Sequence, residues 1–220
     1  MSPTLRTTAG ELPLHEFALG LGGRRWRILH AGAVLSEAEE DRFLRGDPPR
    51  LPYGIVLWPA AIALAHELAA SADALPGARV LELGAGTGLP GIVAATFGAA
   101  VVQTDREDIA LSMCRRNGAL NGTVLEWRRA DWAAWDDGAT YDWIIGSDIL
   151  YSTDFHDALR GIFERNLAPG GRILISDPFR AHSMRLFESL DAAGWQISAS
   201  KWNIGDPARA IGVFELARRA

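Results

Sequence analysis

The chain has 220 residues, 48% of them hydrophobic and 22% charged, a globular mixture that excludes a disordered polymer and fits one domain with some elaboration. Lys and Arg total 22 against 27 Asp and Glu, a net charge of -5 without the basic footprint of a dedicated nucleic-acid binder. A single cysteine, Cys114, excludes an internal disulfide and a multi-cysteine metal site, and it suits a reducing cytoplasm.

The first ten residues lack a basic start followed by an apolar core, so no signal peptide is expected. Residues 14–19 and 26–31 flank Gly20-Leu21-Gly22-Gly23 and predict a β-hairpin. Ser36-Glu37-Ala38-Glu39 opens a short polar helix in the manner of a capping box, and Asp47-Pro48-Pro49 then breaks the chain. Residues 1–50 hold too few large apolar side chains for a core of their own. They are expected to be an N-terminal extension, a hairpin plus a helix, on a domain formed by residues 51–220. The apolar stretch 55–65 is too short to span a bilayer and contains Pro59, so a soluble protein is expected.

From Pro59 the texture changes to alternating helices and strands. A helix over 59–70 precedes strands at 79–83, 100–104, 123–127, 143–147 and 172–176, with helices at 90–97, 107–117 and 155–166 between them. Strand–helix–strand repetition requires parallel pairing with right-handed crossovers, hence a Rossmann-like, doubly wound α/β sheet. A helix at 182–192 and strands at 195–202 and 210–217, joined through Gly205-Asp206-Pro207, bring the sheet to seven strands with an antiparallel last strand.

Ligands of such sheets bind beyond the carboxyl ends of the strands. There the first strand runs into Glu82-Leu83-Gly84-Ala85-Gly86-Thr87-Gly88, whose glycines let a ligand approach the backbone ahead of a helix N-terminus. The second strand ends at Asp105, an acid placed to accept hydrogen bonds from a ribose diol. A dinucleotide fingerprint wants a third glycine at the sixth position from Gly84, where Leu89 stands, so an oxidoreductase is disfavoured.

The order Glu-x-Gly-x-Gly-x-Gly, Asp105, Asp131-Trp132 and Leu167-Ala168-Pro169-Gly170-Gly171-Arg172 resembles class I S-adenosylmethionine-dependent methyltransferases. Ser147-Asp148-Ile149-Leu150-Tyr151 lacks the Pro-Pro-aromatic of amino-adenine and glutamine enzymes. Its Asp-x-x-Tyr resembles the seven-β-strand protein lysine methyltransferases, sometimes called family 16. Leu57-Trp58-Pro59-Ala60 resembles that family's Trp segment beside the cofactor, and Asp177-Pro178-Phe179-Arg180 looks like the Asp-Pro-x-Arg of the electron-transfer-flavoprotein β-subunit enzymes.

The resemblance implies S-adenosylmethionine as cofactor, held by Trp58, Glu82, Gly84, Gly86, Gly88, Asp105, Asp131, Trp132 and the strand-end Asp148. It implies a protein lysine as acceptor, on a flavoprotein subunit or a ribosomal protein, with no nucleic acid or membrane involved. Asp148 and Tyr151 would then be catalytic, and Tyr151, Asp177 and Arg180 would bind substrate. Plain structural roles stand beside these: Asp148 as a helix cap near Thr153, Tyr151 as a packed lid, Trp58 as core, Asp177 as a turn residue, and Arg180 as a solvated side chain. A small-molecule, nicotinamide-like N-methyltransferase is the other enzymatic reading. The five histidines have no metal-ligand spacing, so no metal is expected, and Cys114 reads as a small buried residue.

Overall fold

The structure, a computed structural model, describes residues 3–7, 10–45 and 51–219; Asp47-Pro48-Pro49 lies outside them. The chain opens with a hairpin the sequence did not announce, β1 (Thr4–Thr7) and β2 (Gly10–Pro13). Of β1, only Leu5 is buried, too little for a legible alternation. The expected hairpin follows as β3 (His15–Leu21) and β4 (Arg24–His30), turning at Gly22-Gly23. Next come β5 (Gly32–Ala33), α1 (Glu37–Arg45) and β6 (Val56–Leu57), with β5 and β6 pairing in parallel. The capping box is present: Glu39 accepts from the Ser36 N–H at 2.9 Å, and the Glu39 N–H donates to Ser36 Oγ at 3.3 Å.

The main body contains α2 (Pro59–Ala70), β7 (Arg79–Leu83), α3 (Leu89–Thr96), β8 (Ala100–Asp105), α4 (Asp108–Leu120), β9 (Glu126–Arg129), β10 (Tyr141–Ser147), α5 (His156–Asn166), β11 (Leu167–Asp177), α6 (Ala181–Ala192), β12 (Trp195–Ile204) and β13 (Arg209–Arg218). The seven strands lie in the order β12-β13-β11-β10-β7-β8-β9, and only β13 runs antiparallel to its neighbours. Period-2 alternation sends Val80, Ile145 and Leu174 to one face, and Leu81, Ile144, Ile173 and Ile175 to the other, so two apolar layers sandwich the sheet.

Two expectations need correction. The third strand begins at Glu126, not at 123, because Thr123 is occupied in closing α4: its N–H and hydroxyl both donate to the Gly118 carbonyl, at 3.0 and 3.1 Å. The strand expected at 172–176 begins earlier, at Leu167, and residues 167–172 are its bulged start. Leu167 pairs with Tyr141 before Arg172 resumes opposite Trp143, and Gly170 takes φ +75° in the excursion between them. Helix α2 lies where expected and buries more than one face, from Pro59 through Ala65 plus Leu68, because it shares an apolar cluster both with the sheet and with Leu19, Trp26 and Ile28 of the second hairpin.

That hairpin is stitched down by helix α4. The Asn117 side chain accepts from the Leu29 N–H (2.8 Å) and donates to the Leu29 carbonyl (3.0 Å); Asn121 brackets Arg27 in the same way (2.9 and 2.7 Å). Four helical residues advance about 6 Å and two strand residues about 6.8 Å, so two asparagine amides stand in for a missing ladder neighbour. Among the described residues no helix is long and apolar enough to cross a membrane.

Candidate active site

The loop after β7 is held open from behind. Gly84, Gly86 and Gly88 all have positive φ (62, 55 and 81°); a Cβ at Gly84 would lie 3.0 Å from Ile149 and 3.2 Å from Trp132, so a side chain there would be strained and crowded. Glu82 is buried beneath the loop. It accepts from Gln103 Nε2 at 2.7 Å, and the same nitrogen donates to the Gly88 carbonyl at 3.0 Å. Burial pushes the Glu82 carboxyl up to about 8, against the hydrogen bonds from Gln103 and the Gly91 N–H. The Cys114 thiol, raised far by burial, donates to the Gly86 carbonyl at 3.2 Å and is a packing residue.

In front of the loop lies a cavity of about 660 Å³, at the carboxyl ends of β7, β8 and β10. Of the residues singled out from the sequence, Trp58, Gly84, Gly86, Asp105, Asp131, Trp132, Asp148, Tyr151 and Arg180 line it. Glu82, Gly88 and Asp177 are not on its wall. Asp105 accepts from the Gly86 N–H (3.1 Å) and the Glu107 N–H (3.0 Å), and burial raises its carboxyl above the usual range. Asp131 accepts from the Ala133 N–H at 3.0 Å, fixing the 3-10 turn Trp132–Ala134 that presents the Trp132 ring.

Just beyond β10 and β11 the backbone is strained. Asp148 has φ +57° and Phe179 φ +62°, each a conformation costing about 1–3 kcal/mol that must be held by its surroundings. The Asp148 N–H is held by the Ser176 carbonyl at 2.9 Å. Its side chain is not a helix cap; Ser152 caps the following turn. Instead Asp148 pairs with Arg180, whose guanidinium also reaches Asp177 (3.2 Å) and Glu40 (3.2 Å). Asp177 is wholly buried and accepts from the Arg180 N–H (2.7 Å) and Ser183 Oγ (2.8 Å), so it anchors Arg180 from within. Glu40 bridges onward to Arg209 at 2.5 Å. Burial holds the Asp148 carboxyl above its ordinary value despite the guanidinium beside it. Burial opposes the Arg180 charge, but Asp148, Asp177 and Glu40 together raise its affinity for the proton.

An aromatic rim closes the mouth. Tyr53 and Tyr151, both about half exposed, are parallel within 5° with centroids 6.4 Å apart; Trp58 stacks behind Tyr53 at 5.9 Å and donates to its carbonyl at 3.1 Å. Phe43 meets Tyr53 and Trp58 edge-on, and Phe155 meets Tyr151 and Trp132 edge-on. The sequence reading missed Glu40, Tyr53 and Gly54 on the wall and Arg209 and Phe43 behind it. The one local signal was the proximity of Tyr53 to the Trp58 segment; Glu40 looked like any acid on a polar helix. Among the described residues the wall carries five carboxylates (Glu40, Asp105, Glu107, Asp131 and Asp148) against the guanidiniums of Arg106 and Arg180, so it favours a ligand bearing positive charge.

A family model described as lysine methyltransferase matches residues 50–191, nearly two thirds of the chain. The chain belongs to this family. Its relatives include the protein N-lysine methyltransferase METTL21A of Xenopus tropicalis, 35% identical over 143 residues, covering 62% of this chain and 66% of that protein. The histone-arginine methyltransferase METTL23 of Xenopus laevis is 31% identical over 182 residues, covering 76% and 73%. The chain spans between about a third and three quarters of the length of curated relatives that it matches. Among solved structures, the Thermus thermophilus 16S rRNA N2 G1207 methyltransferase, in complex with AdoMet and guanosine, superposes with a TM-score of 0.66 at 17% identity, covering 100% of this chain and 58% of that one. A ribosomal protein L11 methylase from Lactobacillus delbrueckii superposes at 0.59 with 23% identity, covering 73% and 79%; both establish the fold. The cofactor of this methyltransferase is S-adenosylmethionine, and the cavity fits it: its volume is that of a small-molecule site, Asp105 keeps acceptor capacity for a diol beyond its two backbone bonds, and the acidic wall suits a sulfonium.

Proposed function

We propose that the chain methylates the side-chain nitrogen of a lysine in a protein substrate. The observation that carries this reading is the acidic, aromatic-rimmed pocket at the end of β10, where Asp148 and Tyr151 stand together in a chain of the lysine methyltransferase family. Identity with METTL21A supports it. S-adenosylmethionine supplies an electrophilic methyl group, and the protein's share is alignment and proton handling. The backbone at Gly84 and Gly86 and the Asp105 carboxylate hold the nucleoside end, with Asp131, Trp132 and Trp58 around it. Glu82 and Gly88 serve from behind by shaping the loop, as Asp177 does by anchoring Arg180.

A lysine amine has a pKa near 10.4 and must lose a proton before it attacks. Asp148 orients the ammonium and takes part in relaying that proton, a task its raised pKa favours. The Tyr151 ring lines the approach, where a cation–π contact is worth about 0.5–2 kcal/mol. The Asp177-to-Arg180 segment extends the proposal to an electron-transfer flavoprotein β subunit as substrate, with a ribosomal protein as the other candidate, in a cytoplasmic setting. Residues 1–50 are then an extension that serves the methyltransferase domain, not an independent unit.

Identity over 182 residues with METTL23 favours one second reading, an arginine acceptor, which presents the same positive charge to the same wall. The experiment is label transfer from methyl-tritiated S-adenosylmethionine into a cell extract, resolved by size and then by amino-acid analysis. Label in a discrete protein band, recovered as methyllysine and lost with Asp148→Ala, is expected. Recovery as methylarginine moves the reading to arginine. Label confined to small molecules overturns protein methylation in favour of a nicotinamide-like acceptor.

A further inference from the structure

We propose that Glu40, carried on the N-terminal helix α1, is a specificity-determining residue of the acceptor site, leaving the Arg180 cluster one negative charge in excess so that it selects a cationic side chain over a neutral one. The proposal rests on the methyltransferase reading and deepens it.

Arg180 alone would neutralise Asp148. Among the described residues, however, the cluster holds two guanidiniums, Arg180 and Arg209, against three carboxylates, Asp148, Asp177 and Glu40. Asp177 is sealed inside, whereas Asp148 and Glu40 retain 11 and 16% exposure and line the cavity, so the excess charge lies on the two carboxylates an incoming group can reach. Among the described residues no neighbouring cation on the wall cancels it: Arg106 is paired with Glu107 at 3.1 Å. Lys201, the sole lysine of the chain, lies on β12 and does not line the cavity.

The approach to this charge runs beside Tyr53 and Tyr151, whose ring faces attract cations. Glu40 is itself fixed from three sides. Arg180 and Arg209 hold its carboxylate, and Phe43, one helical turn on, packs edge-on to Tyr53 and Trp58. The extension thus brings a charge and an aromatic anchor to a pocket built otherwise by the sheet.

The test uses the full chain loaded with S-adenosylhomocysteine, which has no sulfonium, and follows tryptophan fluorescence on titration with n-butylammonium and with its neutral isostere 1-butanol. The wild type should prefer the ammonium by about tenfold, the size of one charge-assisted contact. Glu40→Gln should bring that preference near parity, and Glu40→Asp should retain most of it. Arg209→Gln removes a positive charge behind the wall and should increase the preference, a change opposite in sign to any loss from misfolding.

With the labelled protein substrate, Glu40→Gln should raise KM with a much smaller change in kcat. A wild type without an ammonium preference, a Glu40→Gln variant that keeps it, or an Arg209→Gln variant that loses it overturns the proposal. So does a Glu40→Gln variant that changes only the ratio of S-adenosylmethionine to S-adenosylhomocysteine affinity, since the charge would then serve the sulfonium. A Glu40-dependent ammonium preference in a protein that transfers no methyl group would support the charge assignment while overturning the methyltransferase reading alone.

Discussion

Asp148 illustrates why a strand-end acid differs from a surface acid. A positive φ, burial and a guanidinium partner together fix where its carboxylate points, and burial outweighs the guanidinium in setting its proton affinity. Asp148→Ala should therefore lower methyl transfer by about 10²-fold or more, as for loss of a proton-handling group, while leaving S-adenosylhomocysteine affinity within a fewfold by calorimetry. Asp105→Ala should do the reverse, weakening cofactor binding about tenfold or more through the lost acceptor. Equal effects of both on affinity would refute the division of roles.

Glu82 makes a different prediction. Its carboxyl, raised from 4.5 to about 8, keeps its proton in the folded chain over a range where the unfolded chain has lost it. The folded state then binds more protons, so this group's contribution to stability falls as pH rises from about 4.5 to 8, with a limiting slope of about 1.4 kcal/mol per pH unit. Glu82→Gln should match the wild type near pH 4.5 and become progressively more stable than it toward pH 8 in denaturant titrations. A pH-independent difference would count against the buried neutral acid. The acid was legible in the sequence, at the head of the glycine motif. Its place behind the loop was not, because only the approach of Gln103 from β8 reveals which side of the loop it occupies.

At the scale of elements, the regular periods were readable and the interruptions were not. Strands β7 and β8, helix α2 and the final antiparallel pair lie within a residue or two of their expected bounds, because alternation, Pro59 and the Gly205 connection are local signals. The start of β9 and the bulge in β11 depend on which partner claims a backbone group, Gly118 for Thr123 and Tyr141 for Leu167. The Asn117–Asn121 stitch belongs to the same class, since its helical spacing becomes meaningful only opposite β4. Asn117→Ala would leave the Leu29 N–H and carbonyl and the Thr87 carbonyl without their partner in a buried place. A loss of about 2–3 kcal/mol in urea unfolding is expected, against under about 1 kcal/mol for an exposed polar-to-Ala change.

For the whole molecule, the second hairpin shares an apolar cluster with the helices of the sheet, so the extension and the sheet are expected to unfold as one cooperative body. The second hairpin covers α2 and α3 with Trp26 and Ile28, and Trp26 Nε1 donates to Thr96 Oγ1 at 3.0 Å. A chain of residues 51–220 would expose that apolar surface, so it should lose its cooperative thermal transition by circular dichroism and aggregate. A truncated protein that melts sharply would show the extension to be dispensable. In the full chain, S-adenosylhomocysteine at a hundredfold over its Kd should add about 2.7 kcal/mol and raise Tm by about 5–10 °C.

The sequence by itself determined the doubly wound sheet, its seven strands, the family and a core of the residues that line the cavity, because periodicity, glycine spacing and the acids after each strand are written over short stretches of chain. Tertiary structure alone decided which of those residues face the cavity. It set Glu82, Gly88 and Asp177 behind the wall and brought Glu40 and Tyr53 onto it. The physical reason is that orientation across a loop, and the pairing of charges 140 residues apart such as Glu40 and Arg180, arise from packing between elements, for which a linear sequence holds no local signal.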